Sequence, residues 1–160
     1  MRRVVIVTLV LLAVFLAIGL LVFQHARERK LAIVEGFLAA RSSGNLVLAS
    51  SYLSQKIIWR TAVGCTYKGK DQAFAFLQKL KEMQLKDVII SGPKFDGDSI
   101  RLSRQMTSFV WQAVGIDSLV EIDQVTVDGG HVRVWNAKFS TLSLSKLTPA
   151  QRSKLIVCSG

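Results

Sequence analysis

Residues Val4 to Phe23 read VVIVTLVLLAVFLAIGLLVF, twenty positions without a charged side chain. At about 1.5 Å per residue, a helix of that length spans roughly 30 Å, the thickness of a bilayer's hydrocarbon core. It also satisfies its own backbone hydrogen bonds, which lipid cannot do. A cleaved secretory signal would share the basic start, Met1-Arg2-Arg3. The apolar run is longer than a signal usually carries, however, and no small-x-small cleavage site follows it. The sequence therefore predicts a retained single-pass anchor, residues 1-25, touching membrane lipid through residues 4-23.

The flanking charges leave the side of the membrane open. Arg2 and Arg3 precede the span, and Arg27, Arg29 and Lys30 follow it, with Glu28 among them. Counting cations slightly favours a cytoplasmic C-terminal side. Against this, a short basic N-terminus before one span has the form of an uncleaved signal-anchor, and long domains translocate despite flanking charge. The expected location is extracytoplasmic.

The formal charge is +10, and without Arg2 and Arg3 the remainder holds 19 basic and 11 acidic groups, a net +8. Such a domain is drawn to anionic headgroups, and nucleic acid would be attracted by the same physics. The cations are nevertheless scattered from Lys56 to Lys154 without a dense cluster. A solvated basic surface is the simpler reading, and nucleic acid is not an expected partner. Of the two cysteines, Cys65 and Cys158, neither belongs to a Cys-x-x-Cys pair, so no metal site is expected. They read as two unrelated thiols, although an oxidising compartment would permit a disulfide. No cofactor is expected.

Along the chain, Ile33, Val34, Phe37 and Leu38 recur at helical spacing up to Ser42-Ser43-Gly44, where glycine can relieve left-handed strain. A second helix is expected over about Asn45 to Ser54, unless a single rod continues from the membrane. Lys56 to Val63 reads as a strand, and GCTYKGK as a loop. Asp71 is placed to cap a helix that carries Ala73, Phe76, Leu77, Leu80 and Met83 on one stripe. Beyond it, DVIISGPKF, SIRLSRQMTSFVWQAV, SLVEIDQVTV and HVRVWNAKFSTLSL read as four antiparallel strands. Asp96-Gly97 and Asp128-Gly129-Gly130 supply the turns. Alternation slips between Ile122 and Val125, which predicts a bulge near Asp123. Thr148-Pro149 can start a short terminal helix.

With those elements in place, the chain resembles the nuclear transport factor 2-like superfamily, including SnoaL-like domains. The matching pieces are VEGFLAARSSGNLVLASSYLSQKIIW, KGKDQAFAFL and VEIDQVTVDGGHVRVWNAKFS, with Gly69 and Gly130 at the family's two glycine places. The match covers roughly Glu28 to Ser140 and rests on element order and turns, not on a chemical signature. It implies an α+β, cone-shaped (cystatin-like) fold: a curved antiparallel sheet packed on helices, preceded by one transmembrane helix. The domain would occupy 26-146, with a tail, 147-160, able to form a short helix. The superfamily includes isomerases, dehydratases, cyclases and non-enzymatic modules, so the resemblance implies no single activity.

Candidate chemistry is sparse. His131 could serve as a base, but it follows a turn with only Asp128 close by in sequence, and an exposed hairpin residue is the simpler reading. A dehydratase resembling scytalone dehydratase would need paired histidines with an acid; His25, the other histidine, adjoins the membrane. An isomerase resembling ketosteroid isomerase would need a carboxylate base and a phenol. Asp117, Glu121 and Asp123 are the available carboxylates, and Tyr67, then Tyr52, the available phenols. Acids in an exposed strand are commonly just solvated. The expected ligand pocket is aromatic: Trp59, Trp111 and Trp135 on three strands, with Tyr67 and Phe76, although core packing alone would also explain the tryptophans. Of Arg101, Arg104 and Arg133, at least two are expected to face water.

Two function classes follow. The first is a membrane-held interaction or assembly module, similar in layout to secretion-system assembly factors of bacterial inner membranes. It would meet a protein partner, or form a homodimer, through the sheet, and could bind a small apolar ligand. The second is a small pocket enzyme of isomerase, dehydratase or cyclase type. The lack of a clear acid/base pair favours the first.

Overall fold

A computed structural model describes residues 2–155, with side chains described for residues 11–153 and 155. One helix, α1 (Arg2–Ser42), spans both the apolar run and the first helix of the domain without a break. Its 41 residues make a rod of about 60 Å. It is long and apolar enough to cross a membrane, and its described apolar side chains before Arg27 are exposed, Phe15 at 72%.

The character of α1 changes near Arg27. Val34, Phe37, Leu38 and Arg41 then fall on one face and are buried, following the i, i+3, i+4, i+7 spacing of a core-facing stripe. Gly36 lies on a second face, where the Tyr52 ring presses so close that a Cβ would sit 2.5 Å from its hydroxyl. Gly44 ends the rod with φ +74°. The Gly44 and Asn45 amides donate back to the Arg41 and Ala40 carbonyls, closing the last turn. Asn45 then accepts from the Leu48 amide at 3.1 Å and starts α2 (Leu46–Ser51).

The chain continues through β1 (Leu53–Arg60), β2 (Thr66–Lys68), α3 (Lys70–Glu82), β3 (Lys86–Asp96), β4 (Ser99–Thr107), α4 (Phe109–Gln112), β5 (Leu119–Asp128), β6 (His131–Phe139), α5 (Thr141–Ser145) and α6 (Pro149–Leu155). One six-stranded sheet has the order β2-β1-β6-β5-β4-β3. Its pairs are antiparallel except β1–β6, which is parallel, with β2 through β5 making the connection between them.

Several local expectations need correction. GCTYKGK is not all loop, since Thr66–Lys68 pairs with β1. Asp71 does not cap α3: Gly69, at φ +85°, holds the cap position, and Asp71 sits in the first turn, where it still favours the helix dipole. Trp111 lies on α4, not on a strand. The register runs evenly through Asp123, and the irregularity falls between Thr126 and Val127. Thr148 does cap α6, its hydroxyl accepting from the Gln151 amide at 3.2 Å. Cys65 is disulfide-bonded, which overturns the reading of two unrelated thiols; Cys158, the sequence's other cysteine, lies outside the described residues.

The core fills the sheet's inner face. Ile57, Trp59, Ile100, Leu102, Val125, Val132 and Trp135 meet Phe37 from α1 and Ala73 and Leu77 from α3. Phe37 lies 5.7 Å from the Trp59 ring and 5.1 Å from Trp135, so α1 plugs directly into the aromatic centre. A second cluster, Met106, Trp111, Ile116, Leu119, Leu147 and Leu155, closes the end at which α1 terminates.

Because one rod carries both an exposed apolar half and a core half, the two should respond differently to truncation. Phe37→Ala should cost about 3–5 kcal/mol in chemical denaturation of the detergent-solubilised chain. Phe15→Ala should leave the midpoint unchanged, and a shift comparable to that of Phe37→Ala would show that the apolar half packs within the protein.

Candidate functional site

The centre of the inner face is charged. On β4 the interior positions run Leu102, Arg104, Met106, and on β5 they run Leu119, Glu121, Asp123, Val125. Alternation places every second side chain inside, so a guanidinium and two carboxylates enter the core with their apolar neighbours. Arg104 stands directly across from Glu121. Asp87 reaches in from the edge strand β3, and Arg41 from the last turn of α1.

Arg104 is 1% exposed and spends its whole fork on carboxylates. Its Nε donates to Asp123 Oδ2 at 2.5 Å and its Nη2 to Asp123 Oδ1 at 3.1 Å. Its Nη1 donates to Asp87 Oδ2 at 2.7 Å, while Nη2 also pairs with Glu121. Arg41 pairs with the same Asp87 oxygen. Asp123 is fully buried and also accepts from Trp135 Nε1 at 2.7 Å. Planar guanidinium suits this multiple engagement, which a lysine ammonium could not reproduce.

The cluster holds two cations against three carboxylates, and the surplus falls on Glu121. Burial pushes its carboxyl up to about 7, helped by the charge of Asp123 and opposed by Arg104 and Arg41. Asp87 goes the other way. Burial raises it, but Arg41 and Arg104 together outweigh burial and hold it well below the carboxylate range.

Glu121, Arg104 and Arg41 form the polar floor of a cavity of about 70 Å³. Its walls are apolar and include Trp59, Phe76, Met106, Trp111 and Phe139. Pockets for drug-sized ligands are several times larger, roughly 300–1,000 Å³, so most of the cone is packed.

The residues singled out from sequence are dispersed. Trp59, Phe76 and Trp111 line the cavity. Trp135 is fully buried below it and orients Asp123. Tyr67 stacks on Phe76 at 4.5 Å and lies outside the cavity wall; its buried hydroxyl has no hydrogen-bond partner among the described residues. Asp117 is exposed in the loop before β5. His131 is exposed at the start of β6, its ring nitrogen 2.9 Å from the Gly129 carbonyl. Arg101 and Arg133 face water and Arg104 does not. Of the acids read as solvated, Glu121 and Asp123 are buried. Arg41 and Asp87 were not anticipated. Their signal was present only as charged residues at interior positions of otherwise apolar periods.

No family model matches the chain, and no curated protein does. Solved structures match its shape. An NTF2-like protein of Burkholderia xenovorans LB400 is 19% identical and superposes with a TM-score of 0.56 over 74% of this chain and 95% of its own. A LEH-like epoxide hydrolase of M. tuberculosis is 15% identical, with a TM-score of 0.61 over 74% of this chain and 88% of its own. A ketosteroid isomerase-like protein of Catenulispora acidiphila, in complex with trimethylamine, is 16% identical, with a TM-score of 0.57 over 76% and 92%. The chain has the nuclear transport factor 2-like fold: a bent six-stranded sheet closed over helices, with one long apolar helix leading into it.

Proposed function

We propose that this chain is a membrane-tethered binding module whose cone seats a small, largely apolar group against Glu121. The observation that carries this reading is the cavity itself: about 70 Å³, aromatic and thioether walls, and Glu121 in its lining, a member of a buried network of three carboxylates and two arginines. That volume suits a few heavy atoms: a short side chain of a partner, or a compact small molecule. The trimethylamine held by the C. acidiphila protein is of that scale.

The unbroken helix from Arg2 to Ser42 supports the tether, since cleavage after the apolar run would cut a rod whose far end is core. The disulfide at Cys65 supports an extracytoplasmic domain, because such bonds persist in oxidising compartments. In intact cells the thiols should resist a PEG-maleimide until a reductant is added. Full labelling without reductant would overturn that placement.

A second reading, acid/base catalysis, is favoured by one fact: Glu121, pushed up to about 7, has the proton affinity a general acid or base needs. It lacks a partner in the cavity, because Tyr67 lies elsewhere and Asp87 and Asp123 are held by arginine. If Glu121→Gln complements a strain lacking the protein as well as wild type does, the enzyme reading fails.

Trimethylamine, tert-butanol and pivalate have similar shapes and different charges, and Trp59 and Trp111 in the wall report their entry by fluorescence. With Glu121 ionised, near pH 8, the cation should bind at least about tenfold more tightly than the anion, a difference of 1.4 kcal/mol. Near pH 5.5 the difference should shrink. Absence of saturable binding by all three would remove the pocket reading.

The same proton affinity fixes a stability profile. The ordinary value for glutamate is 4.5, and folding raises Glu121 to about 7. Between these values the folded chain keeps a proton that the unfolded chain has released, so stability falls as pH rises. Asp87, whose folded value is depressed, adds stability above its ordinary 3.8 that is lost on acidification. The urea midpoint should therefore decline from about pH 5 to about pH 7 and then level off. Glu121→Gln should abolish that decline; if the decline persists, another group is responsible.

A further inference from the structure

The cations that look scattered in sequence are gathered by the sheet. Its outer face, away from α1 and α3, carries a row formed by direct cross-strand neighbours: Arg60 on β1, Asn136 on β6, Gln124 on β5, Arg101 on β4 and Lys94 on β3. At about 4.8 Å per strand this row crosses roughly 19 Å of surface. Lys138 stands on the same face two residues along β6 from Asn136, and Lys68 on β2 stands opposite Ile58, two residues before Arg60. All five cations are exposed, and the depression beside Arg101 and Lys138 is also lined by Asp96 and by Asp123, whose carboxylate is engaged by Arg104 and Trp135. Arg60 donates to Asn136 Oδ1 at 2.8 Å, which aligns the row. Further along, Arg133 is neutralised by Asp128 at 2.9 Å and adds nothing.

We propose that this outer sheet face docks an acidic segment of a partner protein. Charge complementarity sets the sign of the partner, and three further features set its class. Half-buried Ile58, Val134, Ile122 and Val120 lie between and beside the cations, giving the apolar and polar mixture of a protein interface. Arginine and side-chain amides at the centre of the row match carboxylates through paired hydrogen bonds. Among the described residues the face offers no aromatic ring on which a base could stack, as a single-stranded nucleic acid would need.

A lipid surface fits less well. Arg27 of α1 packs over Phe95 at 4.2 Å and Ser42 bonds Asp87 at 3.1 Å, so β3 runs alongside α1 with its Asp96 end toward the membrane side. The two turns at that end carry Asp96, Asp98 and Asp128, which stand between anionic headgroups and the row. A second copy fits no better, since sheet-on-sheet pairing would bring two rows of like charge together, a juxtaposition that costs several kcal/mol.

The experiment uses the full chain in neutral-lipid nanodiscs and reads anisotropy of three probes: fluorescein-labelled polyglutamate, a labelled DNA duplex, and labelled vesicles containing anionic lipid. Polyglutamate should bind most tightly. The triple variant Arg60→Glu, Arg101→Glu, Lys138→Glu should weaken it at least about tenfold, or 1.4 kcal/mol, and the corresponding glutamine triple should weaken it less while keeping the wild-type melting point. The off-face triple Arg29→Glu, Lys70→Glu, Lys146→Glu makes the same change in net charge and should leave binding within about twofold. Equal loss in both glutamate triples would reduce the effect to net charge and overturn the proposal. Tighter binding of duplex or vesicle than of polyglutamate would overturn the choice of partner.

Discussion

Arg104 is the charge on which the interior depends. A carboxylate taken from water into a dry core loses several kcal/mol of solvation, and β5 sends two of them inward. Without a guanidinium between them, Glu121 and Asp123 would have to be protonated or the strand would turn them out. Turning them out would slip the register by one residue and expose Leu119, Val125 and Val127 in their place. Arg104 removes that conflict by meeting both acids and also Asp87 of the neighbouring edge strand. Buried ion groups of this kind are seldom a net source of stability compared with well-packed hydrocarbon. What this one supplies is specificity, since only one register of β3, β4 and β5 satisfies all its partners.

The network also explains how the long helix is joined to the sheet. Arg41, in the last turn of α1, shares Asp87 with Arg104, and Ser42 bonds the other Asp87 oxygen. Little more than one turn of hydrophobic contact, Val34, Phe37 and Leu38, precedes this polar lock. The helix that would lie in lipid is thus the same rigid body that supplies part of the cavity floor. A force or tilt applied to the apolar half has no flexible linker in which to dissipate before it reaches Glu121.

The periodicities that made the fold legible in the sequence were apolar ones. The stripes of α1 and α3, the glycine turns at Gly97 and Gly130, and the apolar twenty-residue run each follow from a local rule, and each appears in the structure. The charged cluster was illegible for the same reason. Sequence reading assigns acids to the wet face, so Glu121 and Asp123 at interior positions looked like a break in alternation, and a bulge was inferred where the register is regular. In sequence Arg41 is one more charge near a helix end, and Asp87 merely opens the run DVIISGPKF. Their convergence depends on β3 and α1 lying side by side, a tertiary fact with no short-range signature. The basic face was hidden similarly, because residues 60, 94, 101 and 138 become neighbours only through cross-strand register.

These two charged features meet different environments, and the difference decides what each can do. On the outer face water screens every cation, so single pairs are weak and only a row acting together can select a partner. In the cavity the low dielectric magnifies a surplus of one charge. A proton on Glu121 and a ligand that contacts its carboxylate answer the same surplus, so they compete: a cationic or hydrogen-bond-donating group is opposed by acidification, whereas a carboxylate-bearing group would require it. The sign of a pH dependence of binding would therefore identify the charge of an occupant without its identity being known. The coupling itself arises from the three-to-two imbalance around Arg104, not from the shape of the fold, which many chains with other chemistry share.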